Sequence, residues 1–503
     1  MRKYGLQKLT APDHEKSRAQ KTVALSLASM FGSLLSLVLS MIMARVLSKT
    51  ELAAYNQTFM VLTTLSPFLL LGIPSGIYYV LTRNEGRTRA VVHEAVLCVL
   101  GSCTVFALFL LLGGSSLLGR AFQNGQLRGY LYWVIPCAVF SVLFSVAMTV
   151  YVYYDRVSLS AKLNVINTIF TAACVIVAVL LCGTAFSGIA AHVAATVLVG
   201  AAAIVLLFCY IVPADDGRIR GDSIRQLLKI SVPLGLASMV GTLDSYLDKW
   251  IVSAMLSPET YAVFANGAHE IPFIGAITGA ITTVILVDMT RACKDGDYAQ
   301  ALQLFRGAAE KTSMILLPIM MLLLVLSEPL IAFLYTDAYL GAVNVFRVYV
   351  LFLPMRTVFY GSIMTALGKA HAVLTRAVAA LAANAVCSVL FVHLFGAIGA
   401  SLATILAAYC VNLPINFYVI CKTLHIPWTQ LLPLKHYGMC LLLSLPGTLL
   451  CWLCSYLLRD FGAFWRLAAG GCAFVAVTVP IFIRYFHLPW RELLRKLKGK
   501  LGN

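Results

Sequence analysis

Charged side chains within apolar segments are the residues of this chain best suited to chemistry. An ionisable group at the centre of a membrane helix costs about 2.5–3.5 kcal/mol, so such groups are usually kept for a function. Asp244 and Asp248 stand four residues apart in one apolar segment and therefore share a helical face. His269 and Glu270 enter the next apolar segment from the opposite side. These four side chains are predicted to meet at a similar depth.

The polar residues of these segments allow two interpretations. In the functional one, the carboxylates bind a coupling cation, H⁺ or Na⁺, or hold the sugar part of a substrate. In the structural one, Lys249 pairs with Asp248 or Glu270 and holds two helices together. Asparagines add hydrogen-bonding capacity that is typical both of sugar-facing cavities and of helix contacts: Asn164, Asn167, Asn384, Asn412 and Asn416.

Two arginines in a later apolar segment are candidate anion contacts. Arg347 and Arg356 are nine residues apart, on roughly opposite sides of an ideal helix, and Pro354 between them favours a kink. Arg356 lies near the middle of its segment. Because a guanidinium forms planar, bidentate bonds to phosphate oxygens, Arg356 is the favoured contact for a phosphate group.

The composition indicates an all-α, polytopic membrane protein. Of the 503 residues, 60% are hydrophobic and 12% charged, and the mean hydropathy is +0.87. A helix needs about 20 mainly apolar residues to cross a bilayer. Fourteen segments meet this length, near 22–46, 54–82, 91–118, 129–154, 160–183, 186–212, 228–255, 260–288, 312–335, 342–367, 371–394, 397–421, 433–458 and 463–486.

An internal repeat organises these segments. The stretch that starts at Lys21 returns without gaps 209 positions later, from Ile230 onward. Between Val23 and Ala53, 13 of 31 pairs are identical, where apolar composition alone would give roughly three. Each copy starts after an even number of spans, so the copies run in the same direction and form parallel six-helix repeats. Their charges differ, because Leu35, Leu39, Ser40, Met60 and Val61 of the first copy correspond to Asp244, Asp248, Lys249, His269 and Glu270.

The repeat and the polar interruptions predict six regions. In order, they are a cytoplasmic N-terminal segment (1–21), an N-lobe (22–212), a cytoplasmic linker (213–229), a C-lobe (230–424), an appendage of two C-terminal helices (433–486) and a basic amphipathic tail (487–503). The tail pattern favours contact with anionic membrane lipids, and a simple solvated tail is the alternative.

The distribution of positive charge predicts the orientation. The net charge is +17, and with the N-terminus inside, 29 of the 38 Lys and Arg fall in inner segments and five in outer loops. This asymmetry follows the positive-inside rule and predicts a cytoplasmic membrane protein with both termini cytoplasmic. It accounts for the charge without a nucleic-acid partner.

Several chemistries find no support in the sequence. There is no G-x-x-x-x-G-K-[ST] phosphate loop, and the outer loops are too short for a catalytic domain. The 14 cysteines are scattered through apolar segments, which is typical of small buried hydrophobic residues. We expect a transporter that is not an enzyme and needs no cofactor or metal site.

Motifs along most of the chain carry a family resemblance. The run Leu243–Val252, followed by Leu256–Tyr261, and its first-copy counterpart Met43–Tyr55 resemble the polysaccharide transporter family of lipid-linked oligosaccharide flippases, as do Thr365–Lys369 and Gly396–Ala403. This family belongs to the multidrug/oligosaccharidyl-lipid/polysaccharide flippase superfamily.

The resemblance implies a two-lobed bundle that alternates access. It would move a polyprenyl-pyrophosphate-linked glycan from the inner to the outer leaflet, with glycan polymerases or glycosyltransferases as further partners. Such cavities are commonly lined by basic side chains, and Lys249, Arg347 and Arg356 would fill that role here.

Three alternatives remain open at this point. A cation-coupled multidrug exporter of the same fold would use Asp244, Asp248 and Glu270 as substrate ligands. Fourteen spans are also similar to the lipid II flippases, although those carry arginines within the first span, where this chain has only Arg45 at its outer end. A non-transporting membrane scaffold would have no need for charges that differ between two copies of one repeat.

Overall fold

The computed structural model describes residues 18–213, 218–268 and 274–487. Within these ranges the chain forms helices and no β-strand. The all-helical fold class is thereby confirmed, and its physical reason is that backbone in hydrocarbon must satisfy its hydrogen bonds within its own segment. The segment 1–17 and the predicted amphipathic tail from 488 onward lie outside the described residues.

Eight α-helices form the first part of the chain. They are α1 (Arg18–Val46), α2 (Lys49–Leu69), α3 (Ile73–Arg83), α4 (Thr88–Phe109), α5 (Ser115–Ala121), α6 (Leu127–Tyr153), α7 (Val157–Cys182) and α8 (Ala185–Leu206). A left-handed turn separates α2 from α3, with φ of 51° at Leu71 and 68° at Gly72. Glycine is required there, because a Cβ on Gly72 would collide with the backbone of Ser231 and Gly235.

Twelve α-helices follow. They are α9 (Gly221–Met255), α10 (Pro258–Gly267), α11 (Ile274–Lys294), α12 (Tyr298–Tyr335), α13 (Ala342–Val350), α14 (Leu353–Arg356), α15 (Tyr360–Ala366), α16 (Ala370–Phe395), α17 (Ala397–Leu406), α18 (Leu413–Leu424), α19 (Leu434–Leu457) and α20 (Ala463–Tyr485). Single π-helical turns continue α4, α8 and α17 at Leu110–Gly114, Leu207–Ile211 and Ala407–Asn412.

Helical segments cover all fourteen predicted spans. Among the described residues, twelve are long and apolar enough to cross a membrane. The first predicted span is represented by α1, Arg18–Val46. The eighth consists of α10 and α11, and residues 269–273 between them lie outside the described ranges. The protein is therefore a multi-pass membrane protein.

The chain divides into two compact units. The first unit comprises Met1–Ala280 and Lys369–Leu413, and the second comprises Ile281–Gly368 and Pro414–Asn503. The two predicted lobes follow the sequence repeat instead, with their boundary at 213–229, and that division stays a prediction. Each compact unit is considered by itself below.

Within the first unit, the helix starts of the two copies repeat as their sequences do. Ser48 caps α2 by accepting a hydrogen bond from the amide of Glu51, and Ser257, 209 residues later, caps α10 by accepting one from the amide of Thr260. Thr50 Oγ1 then donates to Glu259 Oε1 at 2.7 Å. Thr50 and Glu259 are themselves equivalent positions of the repeat. A contact between equivalent positions places a local two-fold axis close to this hydrogen bond.

In the second unit, α12 packs against α19 and α20, which form a helical hairpin. Buried clusters join the three helices at two levels, one around Leu317, Cys440 and Phe482 and the other around Leu326, Cys451 and Phe474. Cys451 thus packs within the second cluster, and its thiol is free, as is that of Cys454. The C-terminal helices are an integral part of the second unit.

Candidate functional site

The acidic residues of α9 lie in two different environments. Asp248 is 3% exposed, and its Oδ1 accepts a hydrogen bond of 2.7 Å from the backbone amide of Lys249. The ammonium group of Lys249 lies 5.0 Å from the centre of the Tyr246 ring and interacts electrostatically with Asp248. Because Asp248 and Lys249 are neighbours in one helix, the structural interpretation in which Lys249 holds two helices together stays a prediction.

Asp244, one turn earlier, belongs to a polar network with α16 and α17. The amide nitrogen of Asn384 donates to Asp244 Oδ1 at 3.4 Å. Asn384 is 2% exposed, and its oxygen accepts from Ser388 Oγ at 3.0 Å and from Thr404 Oγ1 at 3.5 Å. A carboxylate, an amide and two hydroxyls therefore converge between three helices. Such oxygen donors suit a small hard cation.

Arg376 is the functional candidate that the sequence analysis missed. It was counted with the inner-loop cations, but α16 begins at Ala370 and Arg376 is its seventh residue. Its guanidinium interacts electrostatically with Asp244, and within the described residues its Nε is buried without a hydrogen-bond partner. The available sequence signal was the apolar run that surrounds it, which already places an arginine inside the helix.

The remaining members of the predicted acidic cluster lie outside the described residues. His269 and Glu270 fall in the segment 269–273 between α10 and α11. Their meeting with Asp244 and Asp248 stays a prediction. Among the described residues, no group of three or more His, Cys, Asp and Glu side chains comes together.

The two candidate arginines lie in the second unit. Arg347, on α13, donates from Nε to the buried Ser327 Oγ at 2.7 Å and from Nη1 to Asn344 Oδ1 at 3.5 Å. Arg356 ends α14 with an exposed side chain, and its guanidinium lies 5.2 Å from the centre of the Phe352 ring. Arg347 is therefore held in place by hydrogen bonds, while Arg356 presents its charge at the surface of the unit.

The tenth predicted span is broken around Arg356. Its helix stops at Val350, resumes for the four residues Leu353–Arg356 and starts again at Tyr360. This break confirms the predicted kink at Pro354. Its physical reason is that proline cannot donate the backbone hydrogen bond that a continuous helix needs. Thr357 supports the break, since its Oγ1 bonds the Pro354 carbonyl and lies 2.7 Å from Tyr437 Oη of α19. A C-terminal helix thus fixes the segment that carries Arg356.

Helix α9 is tied to the first repeat copy at both ends. At its start, Glu94 of α4 is fully buried and accepts hydrogen bonds from Ser223 Oγ at 2.5 Å and from the Arg220 amide at 3.0 Å, with Arg87 Nη2 at 3.4 Å. These residues form the Glu94 latch. The buried Glu94 carboxylate is thus satisfied by hydrogen bonds and an ion pair.

The other end of α9 is held by neutral groups. Gln57 of α2 is fully buried, donates to Ser253 Oγ at 2.8 Å and accepts from Asn124 Nδ2 at 2.8 Å. Trp250, one turn before Ser253, donates from its indole nitrogen to Thr64 Oγ1 at 3.0 Å. These residues form the Gln57 latch. Both latches are closed at the same time in this structure.

Comparisons with known proteins identify a family and a set of similar folds. A protein-family model described as "Polysaccharide biosynthesis protein" matches residues 42–344. The probable lipid II flippase MurJ of Rhizobium meliloti (strain 1021) is 26% identical over 113 residues, which are 22% of this chain and 21% of that protein. The match thus spans about a fifth of the length of this curated relative.

Solved structures share the fold across most of the chain. The lipid II flippase MurJ in an inward closed conformation superposes with a TM-score of 0.74 at 16% identity and covers 94% of this chain and 100% of its own. An inward-facing multidrug resistance MATE family transporter of the MOP superfamily superposes with a TM-score of 0.64 at 15% identity and covers 81% and 99%. The fold is the one that these transporters share.

Proposed function

The chain belongs to the family of polysaccharide biosynthesis proteins, and on that basis we propose that it is a flippase for polyprenyl-pyrophosphate-linked oligosaccharide. The observation that carries the proposal is the exposed Arg356 at the break of the tenth span. A guanidinium in an apolar segment is costly, and a pyrophosphate offsets that cost by accepting two parallel hydrogen bonds. Broken membrane helices are typical of substrate sites in transporters.

Arg347 and Lys249 take supporting parts in this proposal. Arg347 is already bonded to Ser327, so it contributes positive potential more than a direct contact. Lys249 is balanced by Asp248. Arg356 is the residue expected to bind the phosphate groups directly, because its exposed side chain lies at the break of the tenth span.

The latches at the two ends of α9 suggest how access alternates. Opening the Glu94 latch would expose one side of the first unit, and opening the Gln57 latch would expose the other. The predicted orientation places the Glu94 latch on the cytoplasmic side. In the closed structure, loading requires the Glu94 latch to open first, and release requires the Gln57 latch to open afterwards.

The Asp244 network is the proposed site of the coupling ion. Asp244, Asn384, Ser388 and Thr404 supply four oxygens, which suits Na⁺, and a proton on Asp244 would serve the same purpose. Arg376 balances the Asp244 charge in the present state. Binding of the ion would compete with Arg376 for Asp244 and so link ion entry to a movement of α16 against α9.

Specific observations favour one alternative substrate and disfavour another. The fold match to a lipid II flippase over 94% of the chain favours lipid II as the second candidate. A cationic drug is disfavoured, because Asp244 and Asp248 already interact electrostatically with Arg376 and Lys249 within the chain. The proposal includes three further statements. The protein has glycan polymerases or glycosyltransferases as partners, it lies in the cytoplasmic membrane, and both of its termini are cytoplasmic.

A deletion strain tests the proposal in cells. Polyprenyl-linked oligosaccharide in membrane extracts and polysaccharide at the surface are quantified together, with and without plasmid-borne variants. We expect the glycan lipid to accumulate and the surface polymer to disappear, and Arg356→Ala to restore neither. Arg459→Ala is the matched control, because Arg459 is exposed in the loop between α19 and α20. Unchanged glycan lipids with heightened sensitivity to cationic dyes would contradict the proposal.

A further inference from the structure

The helices of the first copy form a half-open cavity that the proposed function does not use. It has a volume of about 350 Å³ and is lined from α1, α2, α6, α7 and α8. None of its lining residues is Asp, Glu, Lys or Arg. Its size is at the lower end of the range for ligand sites, which is about 300–1,000 Å³. A small, uncharged group fits it best.

One wall of the cavity is a set of rings fixed against one another. The Phe59 ring lies 4.8 Å from the Tyr55 ring and 4.1 Å from the His192 ring, centre to centre. Tyr55 Oη and His192 Nδ1 are 3.2 Å apart and form a hydrogen bond. Because the rings hold each other in place, the wall is ready for a flat, apolar face without a large loss of side-chain entropy.

The cavity also presents polar groups. The Asn167 amide lines it from α7, together with the hydroxyls of Ser141 and Thr196. An amide offers two donors and one acceptor, so it can bond adjacent hydroxyls of a ligand. Asn164, one turn earlier on the same helix, instead donates to its own backbone at Ser160 O, at 3.0 Å.

These features select a class of ligand. A cationic ligand would need a carboxylate side chain, and a phosphate would need a basic side chain. Neither a carboxylate nor a basic Lys or Arg side chain lines the cavity. A pyranose ring is neutral, has an apolar face of C–H groups and carries hydroxyls at its edge. We infer that this cavity binds one neutral sugar ring, with its apolar face on Phe59 and its hydroxyls on Asn167. Assigning that ring to the transported glycan rests on the proposed function.

Saturation-transfer NMR on the full-length protein tests the inference. The protein is held in a detergent without a sugar headgroup, and the probes are the methyl glycosides of glucose, galactose and N-acetylglucosamine. We expect saturable binding of at least one glycoside, with the strongest transfer to the C–H groups of one ring face. Asn167→Ala should weaken it about fivefold to tenfold, the worth of one hydrogen bond. Phe59→Leu should weaken it while thermal unfolding shows the fold intact.

Asn164→Ala is the matched control and should bind as the unaltered protein does. The inference is overturned if no glycoside binds saturably, if Asn167→Ala and Asn164→Ala bind alike, or if tetraphenylphosphonium competes for the site. A parallel flipping assay separates the two proposals. Glycan transport without glycoside binding would contradict the sugar site and leave the proposed flippase function intact. Glycoside binding without glycan transport would contradict the flippase function and leave the sugar site intact.

Discussion

The two copies of the repeat carry different chemistry on one scaffold. In the first copy, Leu39 and Tyr55 line an uncharged cavity. Their equivalents 209 residues later are Asp248 and Phe264, which are 3% and 0% exposed. The second copy has therefore exchanged a neutral wall for a buried carboxylate with a neighbouring cation. The comparison teaches that duplicated helices kept their packing while the chemistry of one face was changed by a few residues.

The largest expected effect comes from making the second copy resemble the first at Asp244. Asp244→Leu, the equivalent of Leu35, leaves the half-buried Arg376 without its counter-charge, at a cost of up to about 3 kcal/mol in unfolding free energy, the low end for a buried pair because the guanidinium is partly exposed. Thermal and denaturant unfolding in detergent measure the loss. Ser245→Ala, next along α9, is the control and should be neutral.

A double variant sharpens this result. Asp244→Leu combined with Arg376→Leu removes both charges, so most of the lost stability should return, and the coupling between the two sites follows from the thermodynamic cycle. If Asp244→Leu unfolds like Ser245→Ala, the second copy contains no charge pair at this position.

The reverse exchange places a charge in the first copy. Leu39→Asp puts a carboxylate against the uncharged cavity wall and should cost about 2.5–3.5 kcal/mol. Leu39→Asn, which adds polarity without charge, should cost clearly less, and the difference between the two variants measures the charge. Equal stability of the two variants would mean that the first copy tolerates a carboxylate as the second does.

The two latches provide a smaller contrast. Glu94→Gln keeps the shape of the side chain but removes the charge that Ser223 and the Arg220 amide bond, so it should cost about 1–3 kcal/mol. Asp222→Asn, an exposed acid at the start of α9, is its control. An unchanged unfolding midpoint in Glu94→Gln would show that this latch carries no net stability.

The smallest effect is expected where the copies meet. The hydrogen bond from Thr50 lowers the pKa of Glu259 below its usual range. A lowered pKa stabilises the protein above the usual glutamate pKa of about 4.3, and this contribution is lost as the pH falls through the lower folded value. Thr50→Val should raise the pKa of Glu259 and flatten this part of the pH profile. A profile identical to that of the unaltered protein would argue against the contact.

Local signals in the sequence predicted much of the fold, whereas packing between residues far apart in the sequence was harder to predict from it. The apolar lengths predicted the helices, Pro354 predicted the break of the tenth span, and the repeated Ser48 and Ser257 mark equivalent helix starts. Arg376 was missed because its partner Asp244 is 132 positions away and no local pattern links them. The cavity was equally hidden, since it forms only where five helices pack together. The contact of His192 with Tyr55, which shapes the cavity wall, likewise joins residues of two helices that no local pattern links.

Flipping in proteoliposomes tests the central claim most directly. The purified protein is reconstituted with a polyprenyl-pyrophosphate-linked oligosaccharide, and a membrane-impermeant glycosidase reports the glycan that reaches the outer leaflet. We predict that the protein makes the inner pool accessible, that Arg356→Ala slows this at least about tenfold through loss of a charge-assisted contact, and that Arg459→Ala does not. An inner pool that stays protected, in liposomes where the same protein moves lipid II or a cationic dye, would contradict the account.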